Sequence, residues 1–242
     1  ARYLRKKLVK DGSIFQTTSD TETIVQLIAQ SKRKKIIDKI IDALFQIQGG
    51  YALAILTNKK LIGIRDPFGI RPLIIGKLNK SYVLASETCA LDIIGAQFIR
   101  EVENGEIVVI AEAGIESIKP FPKIRSRPCI FEYIYFSRPD SLINNISVYE
   151  YRKKLGHELA KETHVEADLI IPVPDSGVPA AIGYAEKMKK NVELGIIRNH
   201  YVGRTFIEPT QQIRSLGVKL KHNINKSLVK NKSVILIDDS LV

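Results

Sequence analysis

The chemistry-bearing residues concentrate in three short stretches. In "SVILIDDS" a run of branched apolar residues delivers two adjacent carboxylates, Asp238 and Asp239, and then Ser240. Neighbouring carboxylates repel each other unless a cation or hydroxyl donors stabilise them. Magnesium takes oxygen ligands, keeps waters and often bridges to a substrate phosphate, and a ribose offers two adjacent hydroxyls. An acid pair at a strand end therefore suits a sugar-phosphate–magnesium site; a solvated strand terminus is the alternative these residues leave open. In "PVPDSGVPAA", Asp175, Ser176 and Gly177 precede a helix start. Free N–H groups there favour an anion and glycine lets the backbone approach it closely, although an ordinary turn with a helix cap fits as well. In "RNHYVGRTFIEP", Arg198 and Arg204 can pair with phosphates and Gly203 permits bending, against the alternative of a basic surface loop. No P-loop and no dinucleotide-binding glycine motif occurs.

The elements that must position these residues fall into two textures. "TTSDTETIVQLIAQSK" predicts a helix with a capping-box spacing from Ser19 to Glu22. "KKIIDKIIDALFQI" predicts a second, with Ile36, Ile37, Ile40, Ile41, Leu44 and Phe45 as its apolar stripe. Short apolar runs broken by Gly, Asn, Asp and Pro then predict antiparallel strands to about residue 120. Within them "RDPFGIRPL" suits a tight turn, with Arg65 and Arg71 as structural ion-pair partners, and "ASETCAL" offers Ser86 as a helix cap with Glu87 in the first turn. The Pro- and charge-rich "KPFPKIRSRPC" marks a boundary. Beyond it, "SVYEYRKKLGHELAKE" and "AAIGYAEKMKK" predict helices, and "ADLIIPVP", "VELGIIRN" and "SVILIDD" predict buried strands. That alternation indicates a parallel α/β sheet.

At 242 residues the chain has room for one large domain or two ordinary ones. No apolar run is long enough to span a membrane. Cys89 and Cys129 form neither a disulfide framework nor a metal motif, which indicates a reducing, cytoplasmic setting. The net charge of +11 suits anionic partners, but the lysines are spread along the chain and nucleic acid is not expected. His157, His164, His200 and His222 lack metal-ligand spacing and read as surface or hydrogen-bonding residues, His200 lying inside the basic loop.

"ILIDDS" resembles the ribose-phosphate loop of phosphoribosyltransferases. Together with "CIFEYIYFSRPDS", "RNHYVGRTFIEPTQQIR" and "RDPFGIRPL", the sequence resembles the amidophosphoribosyltransferase family over essentially its whole length. The resemblance implies an α+β N-terminal-nucleophile (αββα) glutaminase domain over 1–125. An α/β type I phosphoribosyltransferase domain with a parallel sheet would follow over 126–242. It implies ammonia transfer from glutamine to C1 of phosphoribosyl pyrophosphate (PRPP), releasing pyrophosphate, as the first committed step of purine synthesis. Asp20 matches the aspartate that holds the α-amino group of glutamine. Asp175, Ser176, Gly177, Asp238, Asp239 and Ser240 match PRPP- and pyrophosphate-binding positions, with Ser176, Asp238 and Asp239 on Mg²⁺. Arg198, Tyr201, Gly203, Arg204, Phe206 and Ile207 match the loop that closes over PRPP and walls off a dry passage for ammonia.

The resemblance also implies departures. The sequence begins at Ala1, downstream of the family's nucleophilic cysteine, and ends before the Arg-Gly-Thr that follows "DDS" in the family. A piece cut at both ends is therefore expected, one that hydrolyses no glutamine by itself. Cys129 matches a thiolate that some members give to a 4Fe–4S cluster and others keep without one; the reading without a cluster is preferred. A homo-oligomer is expected of the full-length protein. Rival readings are a non-catalytic phosphoribosyltransferase-fold regulator that binds nucleotide or nucleic acid, and another glutamine amidotransferase, whose synthetase half would lack "ILIDDS".

Overall fold

The computed structural model describes residues 2–201 and 217–240. Two compact units are present, one made of residues 1–73 with 102–128 and the other of 74–101 with 129–242. The Pro-rich boundary stretch thus ends the first unit, while the segment 74–101 groups with the second.

The first unit is α+β. Helices α1 (Arg2–Lys10), α2 (Asp20–Gln30) and α3 (Ile36–Leu44) precede strands β1 (Ala52–Leu56) and β2 (Leu61–Arg65). Strands β6 (Ile107–Ala111) and β7 (Gly114–Ile118) complete an antiparallel sheet of order β1-β2-β6-β7. Strand alternation puts Ile62 and Ile64 on one face, paired in register with Val109 and Ile107. The α3 stripe supplies Ile40 and Leu44 to the same core, while Ile36 and Phe45 at its ends stay exposed. Ser19 caps α2 by accepting from the Thr21 N–H. Glu22 does not close the expected box onto Ser19: its carboxylate reaches further back, to the Gln16 and Thr17 N–H groups and the Thr17 hydroxyl. Those charge-assisted bonds hold its carboxyl below the ordinary range.

The "RDPFG" turn is organised by Asp66, which is 0% exposed. Its carboxylate accepts from the backbone N–H groups of Tyr51, Phe68, Ile70 and Arg71 at 2.9–3.3 Å. Gly69 sits at φ +66°, where a side chain would be strained. Arg65 is buried and donates to the carbonyls of Gly69, Arg71 and Val102, tying the turn to the strand that carries it.

The second unit opens with β3 (Ile74–Leu78), β4 (Ser81–Ala85) and β5 (Gln97–Glu101), an antiparallel sheet of order β4-β3-β5, and α4 (Thr88–Ile93) packs Leu91 on Ile74. A five-residue π-helical turn, Glu132–Phe136, and the hairpin β8 (Leu142–Ile143) and β9 (Ile146–Ser147) lead into α5 (Val148–Glu162). The remaining elements among the described residues are β10 (Leu169–Pro172), α6 (Val178–Met188), β11 (Ile196–Arg198), β12 (His222–Ile224), the short helix α7 (Lys226–Val229) and β13 (Val234–Ile237). Strands β10 and β13 pair in parallel, Leu169 opposite Val234 and Pro172 opposite Ile237. Asp168 and Ser233 pin that register with reciprocal backbone and side-chain bonds at the strand starts.

"VELGIIRN" departs from the parallel series expected of it. Only Val192 bridges Ile170 in parallel, whereas β11 pairs antiparallel with β12, with Arg198 opposite His222. Periodicity cannot distinguish the two arrangements for a three-residue run. Helices α5 and α6 meet backbone to backbone. A Cβ on Gly156 would overlap the Ala180 carbonyl, and one on Gly183 would overlap the Lys153 carbonyl.

Removing the Asp66 carboxylate strands several buried N–H donors at once. Asp66→Ala is expected to cost about 3 kcal/mol, measured as a lowered urea midpoint at unchanged m-value.

Candidate functional site

Register and close packing bring two loops together. Because Pro172 lies opposite Ile237, the turn 174–177 and the acids 238–239 leave the same edge of the parallel pair, the carboxyl end where ligands bind in open α/β sheets. The Val173 N–H donates to the Ile237 carbonyl at 2.8 Å, and the Gly177 N–H to the Val173 carbonyl at 2.9 Å. Gly177 has a negative φ of −76°, so backbone freedom does not explain it. Space does: a Cβ there would overlap the Ile237 carbonyl and press on Val173 O and Asp238 Cα at 3.1 and 3.2 Å. The peptide between Pro174 and Asp175 is cis.

Ser176, Asp238 and Asp239 line one cavity of about 270 Å³ beside α5, with Arg152, Gly156 and Glu162 also in its wall. The Ser176 hydroxyl lies 3.5 Å from Asp238 Oδ1, which also accepts the Asp239 N–H at 2.9 Å. Asp239 Oδ2 is buried and has no hydrogen-bond partner. Burial first, and then the hydrogen bond and charge of Asp238, push the Asp239 carboxyl above its ordinary value. Two carboxylates and a hydroxyl, one oxygen orphaned, form a hard oxygen donor set that suits a magnesium ion completing its shell with water and phosphate.

Asp175 is exposed and forms an ion pair with Arg198 on β11. Ser240 is exposed just beyond the acids, and Tyr201 is 100% exposed. Gly203, Arg204, Phe206 and Ile207 lie outside the described residues. Cys129 is half-buried and free, and Cys89 is buried and free. Asp20 belongs to the other unit, exposed at the start of α2, where it lines a separate cavity of about 230 Å³ with Thr21, Gln48 and Tyr51. Among the described residues no group of three or more His, Cys, Asp or Glu could hold a metal, and no helix is long and apolar enough to cross a membrane.

Three features add to the sequence reading. Glu87 is itself the helix cap position, without a capping bond; its carboxylate instead accepts from the Arg138 N–H at 2.7 Å and the Ser141 hydroxyl at 2.9 Å, fixing the loop that follows the π-helical turn. His222 is half-buried, and of the two readings open to it, surface or hydrogen-bonding, its ring takes the second through the Pro174 backbone. Its Nε2 has no partner, and burial, with Lys221 and Arg198 nearby, keeps its ring below the ordinary value. Arg152 is 4% exposed; its legible signal was an arginine within the buried i, i+4 series Val148, Arg152, Gly156, Ala160. His157 and His164 pair with Glu186 and Glu166, and His200 is exposed.

A family profile described as a glutamine amidotransferase domain matches residues 1–92. Over 99% of its length the chain is 52% identical to an amidophosphoribosyltransferase of Rhizobium etli, and over its full length 48% identical to one of Bacillus subtilis. It spans 49% and 51% of those two proteins, about half the length of the curated relatives it matches. The solved Bacillus subtilis glutamine PRPP amidotransferase complexed with ADP and GMP superposes on the whole chain with a TM-score of 0.91 at 47% identity, the chain covering 53% of it. A second structure, titled as the allosteric regulatory enzyme of purine biosynthesis, gives 0.91 at 48% identity, with 52% of that chain covered.

Two stability effects follow from the site. Gly177→Ala must push β13 and the 174–177 turn apart and is expected to cost about 2 kcal/mol by overpacking, read as a lower melting temperature. Asp239→Asn is expected to stabilise the ligand-free protein by roughly 1 kcal/mol, because it removes a part-buried charge held beside Asp238. A raised carboxyl binds its proton more tightly folded than unfolded. Asp239 therefore lowers stability as pH rises from the ordinary carboxylate value through its raised one, and the advantage of the Asn variant should be larger at neutral pH than below that window.

Proposed function

From a chain whose own length is matched by amidophosphoribosyltransferases about twice as long, we propose that the protein takes ammonia from glutamine and places it on C1 of PRPP, releasing pyrophosphate and giving phosphoribosylamine. The observation that carries this reading is the meeting of Ser176, Asp238 and Asp239 in one cavity at the carboxyl end of a parallel strand pair. In this reading 1–125 is the glutaminase part, of αββα type, and 126–242 is the type I phosphoribosyltransferase part.

The ammonia lone pair attacks C1 as the C1–oxygen bond to diphosphate breaks, and the new ammonium loses a proton. Asp238 and Asp239 accept the ribose hydroxyls and, with Ser176, would hold magnesium, which supplies charge neutralisation for the departing diphosphate when bound. The turn 174–177 would receive the diphosphate through backbone N–H groups other than those of Gly177 and Val178, which bond the Val173 and Asp175 carbonyls, and Ser240 stands where a loop for the 5′-phosphate would begin. Arg198, paired with Asp175 in the structure, is the guanidinium placed to exchange that carboxylate for a phosphate oxygen. With Tyr201, Gly203, Arg204, Phe206 and Ile207 it belongs to the segment assigned to closing over PRPP and excluding water. Asp20, at the wall of its own cavity, is the carboxylate for the α-amino group of glutamine.

A 4Fe–4S cluster is not assigned. Such clusters take four thiolates, and Cys129, half-buried and free, is the one position here that the resemblance matches to such a ligand. No step is routed through one.

The test is pyrophosphate release by the full-length protein with PRPP, Mg²⁺ and either glutamine or ammonia. Asp238→Asn or Asp239→Asn should lower both activities at least a hundredfold. Asp20→Asn should lower the glutamine-dependent rate to a similar degree and leave the ammonia-dependent rate within twofold. Equal loss of both rates in a folded Asp20→Asn protein would overturn the glutamine-site assignment, and chelation of Mg²⁺ that left pyrophosphate release intact would overturn the metal assignment.

A further inference from the structure

The cavity that holds Ser176, Asp238 and Asp239 is acidic. Glu158 and Glu162 also line it, and among its described lining residues Arg152 alone is cationic. Glu158 is ion-paired with Lys161 at 2.6 Å, but Glu162, Asp238 and Asp239 leave the wall acidic, and magnesium–PRPP, itself net negative, is repelled by such a wall.

Arg152 is buried, yet its hydrogen bonds go to no carboxylate. Nε donates to the Tyr133 carbonyl and Nη2 to the Ser137 carbonyl, both at 2.7 Å. These carbonyls lie in and immediately after the π-helical turn, where helical carbonyls lack partners of their own. The two bonds fix the guanidinium plane. Glu87 fixes the segment that receives them through Arg138 and Ser141. A buried cation without a contacting anion is costly, and here the compensation comes from carboxylates acting through space. Burial lowers the proton affinity of Arg152, and the charges of Asp239 and Glu87 oppose that shift.

We propose that Arg152 is a positioning residue that supplies the fixed counter-charge of this cavity, letting the acid pair receive an anionic diphosphate ester. The proposal rests on the function assigned above and adds the electrostatic condition under which that site can work.

The test is isothermal titration of the full-length protein with magnesium–PRPP, alongside thermal unfolding. Arg152→Gln should bind roughly tenfold more weakly, the scale of one charge acting across a partly buried site. Arg152→Lys keeps the charge but cannot span both carbonyls; it should melt lower than wild type and still bind within about threefold. Glu162→Gln removes a cavity-wall carboxylate from an exposed position and should bind about twofold more tightly. A folded Arg152→Gln protein with wild-type affinity overturns the proposal, as does an equal loss in the Gln and Lys variants, which would make Arg152 a cap for the π-helical turn and nothing more. If Arg152→Gln does not fold, the other two variants decide: a tenfold loss in Arg152→Lys or no gain in Glu162→Gln overturns it. A wild-type protein that gives no heat overturns the assigned function itself, and this inference with it.

Discussion

The steric closure at Gly177 is the constraint on which the acid-lined cavity of the second unit depends. The Ile237 carbonyl, the Val173 carbonyl and Asp238 Cα occupy the space a side chain would need, so the turn 174–177 seats directly on the end of β13. The same economy recurs where Gly156 and Gly183 let α5 and α6 touch through their backbones. Three glycines thereby draw one strand end, one helix start and the flank of a second helix around a single cavity. Residues separated by 62 positions, Ser176 and Asp238, come within 3.5 Å.

Two aspartates show how local donors decide between structure and function. Asp66 is fully buried and receives four backbone N–H groups. Its charge is spent internally, and it organises a turn. Asp239 is less buried but keeps an oxygen without a partner, and the charge of Asp238 beside it raises the cost of ionisation. A carboxylate left unsatisfied by its own protein is available to a ligand. Such sites are held against their own instability by the packing around them, here the β10–β13 pair and the α5–α6 contact.

Helix existence and the parallel nature of the last strand were legible in the sequence, because periodicity and caps are local properties. The α5 helix, the inner part of the α3 stripe and the strand ending at Ile237 appear where the residue pattern puts them. The errors share one cause: a side chain has more partners in space than along the chain. Glu22 passes over the cap it was spaced for and bonds Gln16 and Thr17. Glu87 leaves its own helix to tie a loop more than fifty residues away, and β11 finds β12 in place of the parallel sheet.

The sequence alone determined which atoms are available: paired acids after an apolar run, a Ser-Gly turn before a helix, an amidophosphoribosyltransferase pattern throughout. The tertiary structure alone decided which of those atoms meet. The strand register sets the acids beside Ser176, and helix packing places the Arg152 charge in the same wall. Periodicity records the face a residue occupies, whereas electrostatics depends on distances through space, and only the folded backbone sets those.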